Sequence, residues 1–376
     1  MATKPISDEL LQVSLDAFHR NGKNTTFAAR ELGIPRSTLA SRLNTAKAMG
    51  MVQSVDSNIP TGHILKGKST LYDHEGNERL TWVKTNLDAE AAKKALLATV
   101  EALRDEIPKE KKTDAPENTI DNLLSCYVVT DYHIGQFSWF AETGEAWNIK
   151  IAENMLVGWF KQAISSSPAA GTAILAQLGD FLHTDSIVAM TPTSHHILDA
   201  DTRYAEMVAV VIRVLRRIIN MLLEKHDKVH VLLAEGNHDI SSSIWLRALF
   251  AEKYADDPRI TVDNTHSPYY AYEHGDTSLF FHHGHKRKVK EVSKIFGGMY
   301  REIFGRTKYS YAHMGHMHHV DVKEDNLMIV EQHPTLAAKD AHAARGGYQS
   351  QRGATVITYH KKHGEVSRVT IRPEMI

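Results

Sequence analysis

Five short stretches of this chain carry side chains able to hold cations. They are Asp131-Tyr132-His133, Gly179-Asp180 with His183 shortly after, Gly236-Asn237-His238-Asp239, His282-His283-Gly284-His285, and Gly315-His316-Met317-His318. Carboxylate, imidazole and amide donors form a mixed nitrogen and oxygen set that suits Mn, Fe or Zn. A set without cysteine argues against a structural zinc site. Each motif alone reads equally well as a turn, because Gly, Asn and Asp favour turns for local reasons. Five of them in one chain, each behind a strand-like run, point to one metal centre.

The elements that must position these residues are legible in the same stretches. The runs 123–130, 172–178, 229–234, 278–281 and 309–314 are short and apolar, of the length a buried strand needs, and each ends at one of the motifs. In open α/β sheets, ligands bind beyond the carboxyl ends of strands. The strand-like runs alternate with longer helical patterns, which predicts a layered α/β domain over 123–376.

The composition is that of a globular protein with a sizeable core: 376 residues, 42% hydrophobic and 24% charged. A net charge of -1 gives no global pull towards nucleic acid or membrane, so any basic surface is local. The single cysteine, Cys126, lies in an apolar run and reads as a buried, inert thiol. The first ten residues have no apolar signal core, and the most hydrophobic segment, 205–223, is interrupted by Arg213, Arg216 and Arg217. It reads as a buried amphipathic helix rather than a membrane span, and the expectation is a cytoplasmic protein without a membrane partner.

The N-terminal 55 residues have a different character. Ser7 can cap a helix with Leu11, Leu15 and Phe18 on one face and Gly22 as its stop. A short helix, a tight turn at Gly33 and a second helix near Pro35 follow, with Ala29, Leu32, Ile34, Leu39 and Leu43 as the shared core. That pattern is a helix-turn-helix, and Gly-Ile-Pro-Arg-Ser-Thr-Leu resembles the motif of the Fis-type nucleoid proteins and the resolvases. Residues 20–50 carry six basic side chains against Glu31 alone. The second helix would present Arg36, Ser37, Thr38, Ser41 and Arg42 to base edges and phosphates, with Lys47 further along, which makes DNA the expected partner. A small protein-docking module is the other reading of this segment.

Residues 56–122 join the two parts. Runs at 69–72 and 80–84 around Glu75-Gly76-Asn77 predict a hairpin of no evident function. Residues 88–106 read as a helix whose stripe of Leu96, Val100 and Leu103 suits either a homodimer or burial against its own chain. Residues 107–122 read as a charged linker.

Taken together, the five motifs resemble the calcineurin-like metallophosphoesterases from about Leu123 to His318. The resemblance implies an α/β fold with a layered β-sandwich flanked by helices. It also implies two divalent metal ions, Mn²⁺ first with Fe or Zn as alternatives, bridged by Asp180. Asp131, His133 and His318 would complete one site; Asn237, His283 and His316 would complete the other. Of the adjacent pair His282 and His283, the second is chosen because the family often reads His-Gly-His there. His238 would be the histidine that protonates the leaving group, oriented by a neighbouring carboxylate. Two cations roughly 3.5–4 Å apart can activate water and neutralise phosphate charge, as phosphodiester hydrolysis requires.

Three features direct the expected substrate towards DNA. One is the helix-turn-helix. Another is His183, placed as in the DNA-repair exonucleases of the SbcD type and so a second candidate catalytic residue. The third is the stretch from Lys286 to Lys308, with eight basic side chains against Glu291 and Glu302. The expectation is a nuclease with its own DNA-binding module. The alternatives are a phosphatase or nucleotide phosphodiesterase with a targeting helix-turn-helix, and a DNA-binding regulator that senses a ligand.

Overall fold

The computed structural model describes residues 6–22, 24–48, 63–73, 78–87 and 113–376. The chain divides into two units, Met1–Asp88 and Ala89–Ile376. The helix expected at 88–106 and residues 107–112 of the expected charged linker fall outside the described residues, and 120–122 of that linker already belong to a strand.

The first unit holds three helices and a hairpin. Helix α1 (Asp8–Arg20) is capped by Ser7, whose side chain accepts from Leu10 N, and it buries Leu11, Leu15 and Ala17. Helix α2 (Thr25–Glu31) starts at Asn24, whose side chain accepts from Thr26 N and Phe27 N. Gly33 takes φ +64, a left-handed turn that glycine adopts without strain, and helix α3 (Arg36–Ala48) follows. Ala28, Ala29 and Leu39 are buried between the helices with Leu32, Ile34 and Leu43 against them, so the expected shared core is present. Strands β1 (His63–Tyr72) and β2 (Glu78–Leu87) pair antiparallel, as the expected hairpin requires.

The second unit is built from two sheets. The six-stranded sheet has the order β13 (Gly364–Ile371), β12 (Ala354–His360), β3 (Ile120–Val129), β4 (Ala170–Gln177), β5 (Lys228–Leu233), β6 (Ile260–Val262). The five-stranded sheet runs β10 (Asp321–Glu324), β11 (Ile329–Gln332), β9 (Tyr309–Met314), β8 (Thr277–His282), β7 (Tyr270–His274). Strands β3, β4, β5 and β6 are parallel in the first sheet, and β8, β9 and β11 in the second.

The two-residue period of the strands explains the layering. Along β3, Leu124, Cys126 and Val128 join an inner core with Ile174, Ala176, Leu232, Leu279 and Phe281 from both sheets. The alternate residues, Tyr127 and Val129, pack outward with Trp159, Phe160 and Leu215. These come from helices α5 (Ile149–Ser166) and α6 (Tyr204–Leu223). The outer face of the second sheet is covered by α8 (Val289–Met299), through Val292 and Phe296 against Phe280 and Val330. The result is the expected sandwich of sheets flanked by helices. Cys126 is fully buried, and burial pushes its thiol well up, away from reactivity. Among the described residues, no helix is long and apolar enough to cross a membrane. Helix α6 instead buries its apolar stripe, with Arg213 held by Glu153 at 2.6 Å.

Candidate metal centre

All five motifs lie at the carboxyl ends of parallel strands, β3, β4 and β5 from one sheet and β8 and β9 from the other. Because the sheets stack face to face, these ends open into one space. His133, His183 and His238 lie together; Asp131, Asp180, His283 and His316 form a second group; Asp131, His133 and His318 form a third. Asn237 joins through its Oδ1, 3.3 Å from His283 Nε2. The structure therefore brings together all nine residues singled out for metal binding and catalysis.

The backbone is bent to aim them. Among the described residues, six that are not glycine have positive φ, and five of these are Asp131, His133, Asp180, His316 and His318; the sixth is His195. A left-handed conformation costs a non-glycine residue roughly 1–3 kcal/mol and persists only where surrounding structure enforces it. Here the enforcement is visible. Each carboxylate has one oxygen pinned and one facing the shared space. Asp131 Oδ2 accepts from Thr130 Oγ1 at 2.5 Å and from His316 N at 2.8 Å, leaving Oδ1 3.1 Å from His318 Nε2. Asp180 Oδ1 accepts from His238 N at 2.8 Å, leaving Oδ2 3.1 Å from His283 Nε2. Two glycines permit these approaches: a Cβ on Gly236 would lie 1.9 Å from Asp180 Oδ1, and one on Gly315 would lie 1.8 Å from Thr130 Oγ1.

The electrostatics suit cation binding. Asp131 and Asp180 are buried, and burial alone would raise both carboxyls; the charges of His318 and His283 beside Asp131, and of His283 and His238 beside Asp180, hold them low and ionised. Burial, with His238 beside it, keeps His133 neutral, and His183 is lowered to about 3 for the same reasons. Neutral imidazoles and ionised carboxylates are the forms that coordinate metal. His283 Nδ1 donates to the Leu178 carbonyl at 2.8 Å, so its Nε2 faces the carboxylates; their charge, against burial, raises the imidazole to about 10, and a cation bound there would take the place of that proton. The donor set fits two divalent cations.

Adjacent His282 and His283 separate cleanly. His282 Nδ1 donates to the Pro268 carbonyl at 2.9 Å and its ring stacks on Tyr269, so only His283 joins the group. One expectation is corrected: His238 is oriented by a backbone carbonyl, that of His183, to which its Nδ1 donates at 2.9 Å, and not by a carboxylate. Asp131 belongs to two of the groups and Asp180 to one, with Asp180 Oδ1 held by His238 N and Oδ2 left to the shared space.

Asp239 was missed as a supporting residue. It accepts from the backbone N–H groups of Asp180, Phe181, Leu182 and Gly236 at 2.7–3.2 Å, lashing the β4 loop to the β5 loop. Burial and the charge of Asp180 push its carboxyl up to about 7, against the pull of those donors. Its place in the Gly-Asn-His-Asp motif was the available signal.

The space above these residues is a cleft of ≈ 350 Å³. One wall is the 333–353 connection with its short helix α10 (Ala341–Arg345). Arg345 and Arg352 serve structure there, pairing with Glu142 and Glu145, each at 2.8 Å. In the basic stretch, Arg306 is committed to Glu273, and Lys308 lies over the Tyr309 ring.

The residues expected to meet DNA belong to the first unit. On α3, Arg36, Ser37 and Ser41 are exposed, while Thr38 and Arg42 are half-buried. The side chain of Lys47 is outside the described residues. Arg20 pairs with Glu31 at 2.7 Å, which removes one of the six expected cations from the free basic surface.

No family model matches the chain, and no curated protein does. Solved structures share a likeness to it. A Streptococcus pneumoniae protein described as a predicted phosphoesterase is 9% identical, covering 66% of this chain and 98% of its own at a TM-score of 0.29. An archaeal phosphodiesterase is 12% identical over 66% of this chain and 99% of its own, at a TM-score of 0.34. Vps29 from Entamoeba histolytica, complexed with zinc, is 12% identical over 67% and 99%, at a TM-score of 0.28. Likeness at this level of identity and superposition carries nothing about substrate.

Proposed function

We propose that this chain is a two-metal phosphodiester hydrolase acting on DNA, with α2 and α3 as its DNA-binding module. The observation that carries the catalytic part is the convergence of seven metal-type donors from five strand ends, five of them on left-handed backbone. Strained backbone of this kind clusters at functional sites, where surrounding structure holds it in place. Asp131, His133 and His318 would hold one cation, and Asn237, His283 and His316 the other, with Asp180 Oδ2 reaching both. When bound, the cations supply Lewis acidity to the phosphate and to the attacking water. The chain supplies the rest. Its buried carboxylates offset the cations' mutual repulsion, and Asn237 adds a neutral oxygen donor. His238, fixed through Nδ1, has Nε2 free to pass a proton to the leaving oxygen. His183 packs its ring 5.8 Å from that of His238 and holds it through its own carbonyl.

The DNA part rests on the exposed Arg36, Ser37 and Ser41 at the start and outer face of α3, the side-chain types that read base edges and phosphates. The deciding experiment incubates purified protein and Mn²⁺ with labelled single-stranded and duplex DNA, a small phosphodiester and a phosphomonoester. DNA and diester hydrolysis that chelation abolishes supports the reading. Turnover of the monoester alone replaces it with a phosphatase whose helices serve targeting.

A further inference from the structure

Resting on the nuclease reading, we infer that the cleft takes an unpaired DNA strand, gripped by base stacking on Tyr348 and continued over Phe140 and Trp139. The first observation is where the exposed aromatics lie. Among the described residues of the second unit, the only exposed Phe, Tyr and Trp side chains are Phe137, Trp139, Phe140 and Tyr348; Tyr348 lines the cleft, and the other three follow directly on Gln136, which also lines it. Trp139, Phe140 and Tyr348 are 61%, 66% and 60% exposed.

The two segments are physically joined. Arg345 Nη2 meets Glu142 Oε1 at 2.8 Å, which ties α10 to the short helix α4 (Phe140–Thr143). Gln136 Nε2 donates to the Ala338 carbonyl at 2.8 Å, fixing the start of the aromatic segment to the cleft wall. Tyr348 is itself folded back on α10, its N–H donating to the Ala343 carbonyl at 3.1 Å. Its ring therefore lines the cleft on a braced support.

The second observation is the shape and lining of the cleft. Its volume of ≈ 350 Å³ is at the low end for a small-molecule site and suits about one nucleotide. At its floor Asp131, His133, Asp180 and His283 are buried, while Asn237, His316 and His318 are half-buried. A nucleotide whose base enters the cleft to stack on Tyr348 must leave its own stack, at a cost of a few kcal/mol that is least for a strand already unpaired. The wall beside Tyr348 is formed by Ala337, Ala338, Ala343 and Met317, an apolar surface suited to a base. Lys339, whose Nζ donates to Gln349 Oε1 at 3.3 Å, lines the same cleft and offers a positive charge to a strand's phosphates. Aromatic stacking with neighbouring cations is the general means of holding single strands without reading sequence.

The test uses the full chain with Mn²⁺, a single-stranded oligonucleotide and a blunt duplex of the same length, comparing wild type with Tyr348→Ala and Tyr348→Phe. Thermal unfolding and metal content establish that each variant is folded and loaded. The wild type should cleave the single strand in preference to the duplex. Tyr348→Ala should raise KM for the single strand about 5- to 150-fold, the equivalent of one lost stacked base, and Tyr348→Phe should restore it. In chelator, an oligonucleotide carrying 2-aminopurine should lose fluorescence on binding wild type and Tyr348→Phe, and less so on Tyr348→Ala. DNA cleavage by the wild type with an unchanged KM in Tyr348→Ala, or a preference for blunt duplex, overturns this inference and leaves the nuclease reading standing. A wild type that hydrolyses a small diester and neither DNA overturns both.

Discussion

The backbone N–H of His316 donates to Asp131 Oδ2 at 2.8 Å, joining the loop after β9 to the loop after β3 across 185 residues of sequence. The bond connects the ligand loops of the two different sheets, so the centre depends on how the sheets are stacked. Gly315 makes it feasible, because a Cβ there would lie 1.8 Å from Thr130 Oγ1 and 2.6 Å from Asp131 Oδ2. Gly315→Ala should therefore part the two loops and lower metal content by half or more with the helices intact. Metal analysis alongside circular dichroism checks it, and wild-type metal content in the variant refutes this account of the junction.

Asp180→Asn should abolish hydrolysis and reduce bound metal. Its Oδ1 is held by His238 N, so only Oδ2 is free to coordinate, and the substitution replaces a charged carboxylate by a neutral amide there. Turnover at the wild-type rate by a folded variant would remove Asp180 from the centre.

His238→Ala should keep most of the metal while slowing turnover roughly 10²- to 10⁴-fold, the usual worth of a general acid. The side chain is anchored to the carbonyl of His183 and not to a carboxylate, so its loss leaves no unpaired buried charge. Single-turnover kinetics at saturating Mn²⁺ reads the effect. Loss of metal in parallel would make His238 a ligand instead.

For the first unit, Arg36→Ala should weaken duplex binding by roughly 1–3 kcal/mol and relax sequence preference, if its exposed side chain at the start of α3 reaches a base edge. Fluorescence anisotropy at two salt concentrations distinguishes this from a phosphate contact, which would lower affinity for all sequences alike and flatten the salt dependence. Superimposable curves for variant and wild type would count against α3 as a DNA-reading helix.

Acid stability gives a test remote from the metal centre. His226 is fully buried, bonded to Tyr127 OH and to the Ala170 carbonyl, each at 2.8 Å, and burial lowers it to about 4. A histidine depressed in the folded state binds its proton more readily when unfolded. Its stabilising effect is therefore complete above about 6.5 and is lost as pH falls from there to about 4, to the extent of roughly 3 kcal/mol. His226→Gln should be less stable than wild type at pH 8, with the gap closing towards pH 4. Urea midpoints at four pH values measure it, and a gap independent of pH would show that His226 does not titrate as its burial dictates.

The amino-acid sequence alone determined the strands and what stands at their ends. Apolar runs with a two-residue period are strands wherever they pack, and glycine, asparagine and aspartate terminate them by local conformational preference. All five runs ending at a motif are strands, and each motif stands at the carboxyl end of its strand. The three N-terminal helices were legible for the same reason, since Ser7, Gly33 and the 3.6-residue spacing of Leu11 and Leu15 act within a few residues.

Tertiary structure decided everything that depends on contacts between distant segments. His282 and His283 are adjacent and chemically identical. Successive side chains of an extended strand point to opposite faces, so one meets the Pro268 carbonyl and the other Asp180. The anchor of His238 and three of the four N–H donors gathered by Asp239 involve backbone groups more than fifty residues away, which no side-chain motif records. The aromatic segment is tied to the cleft wall by contacts between residues 203 and 202 positions apart, Arg345 with Glu142 and Gln136 with the Ala338 carbonyl. Local sequence sets which groups stand at the end of each strand, and only the stacking of the two sheets determines which of them share one space.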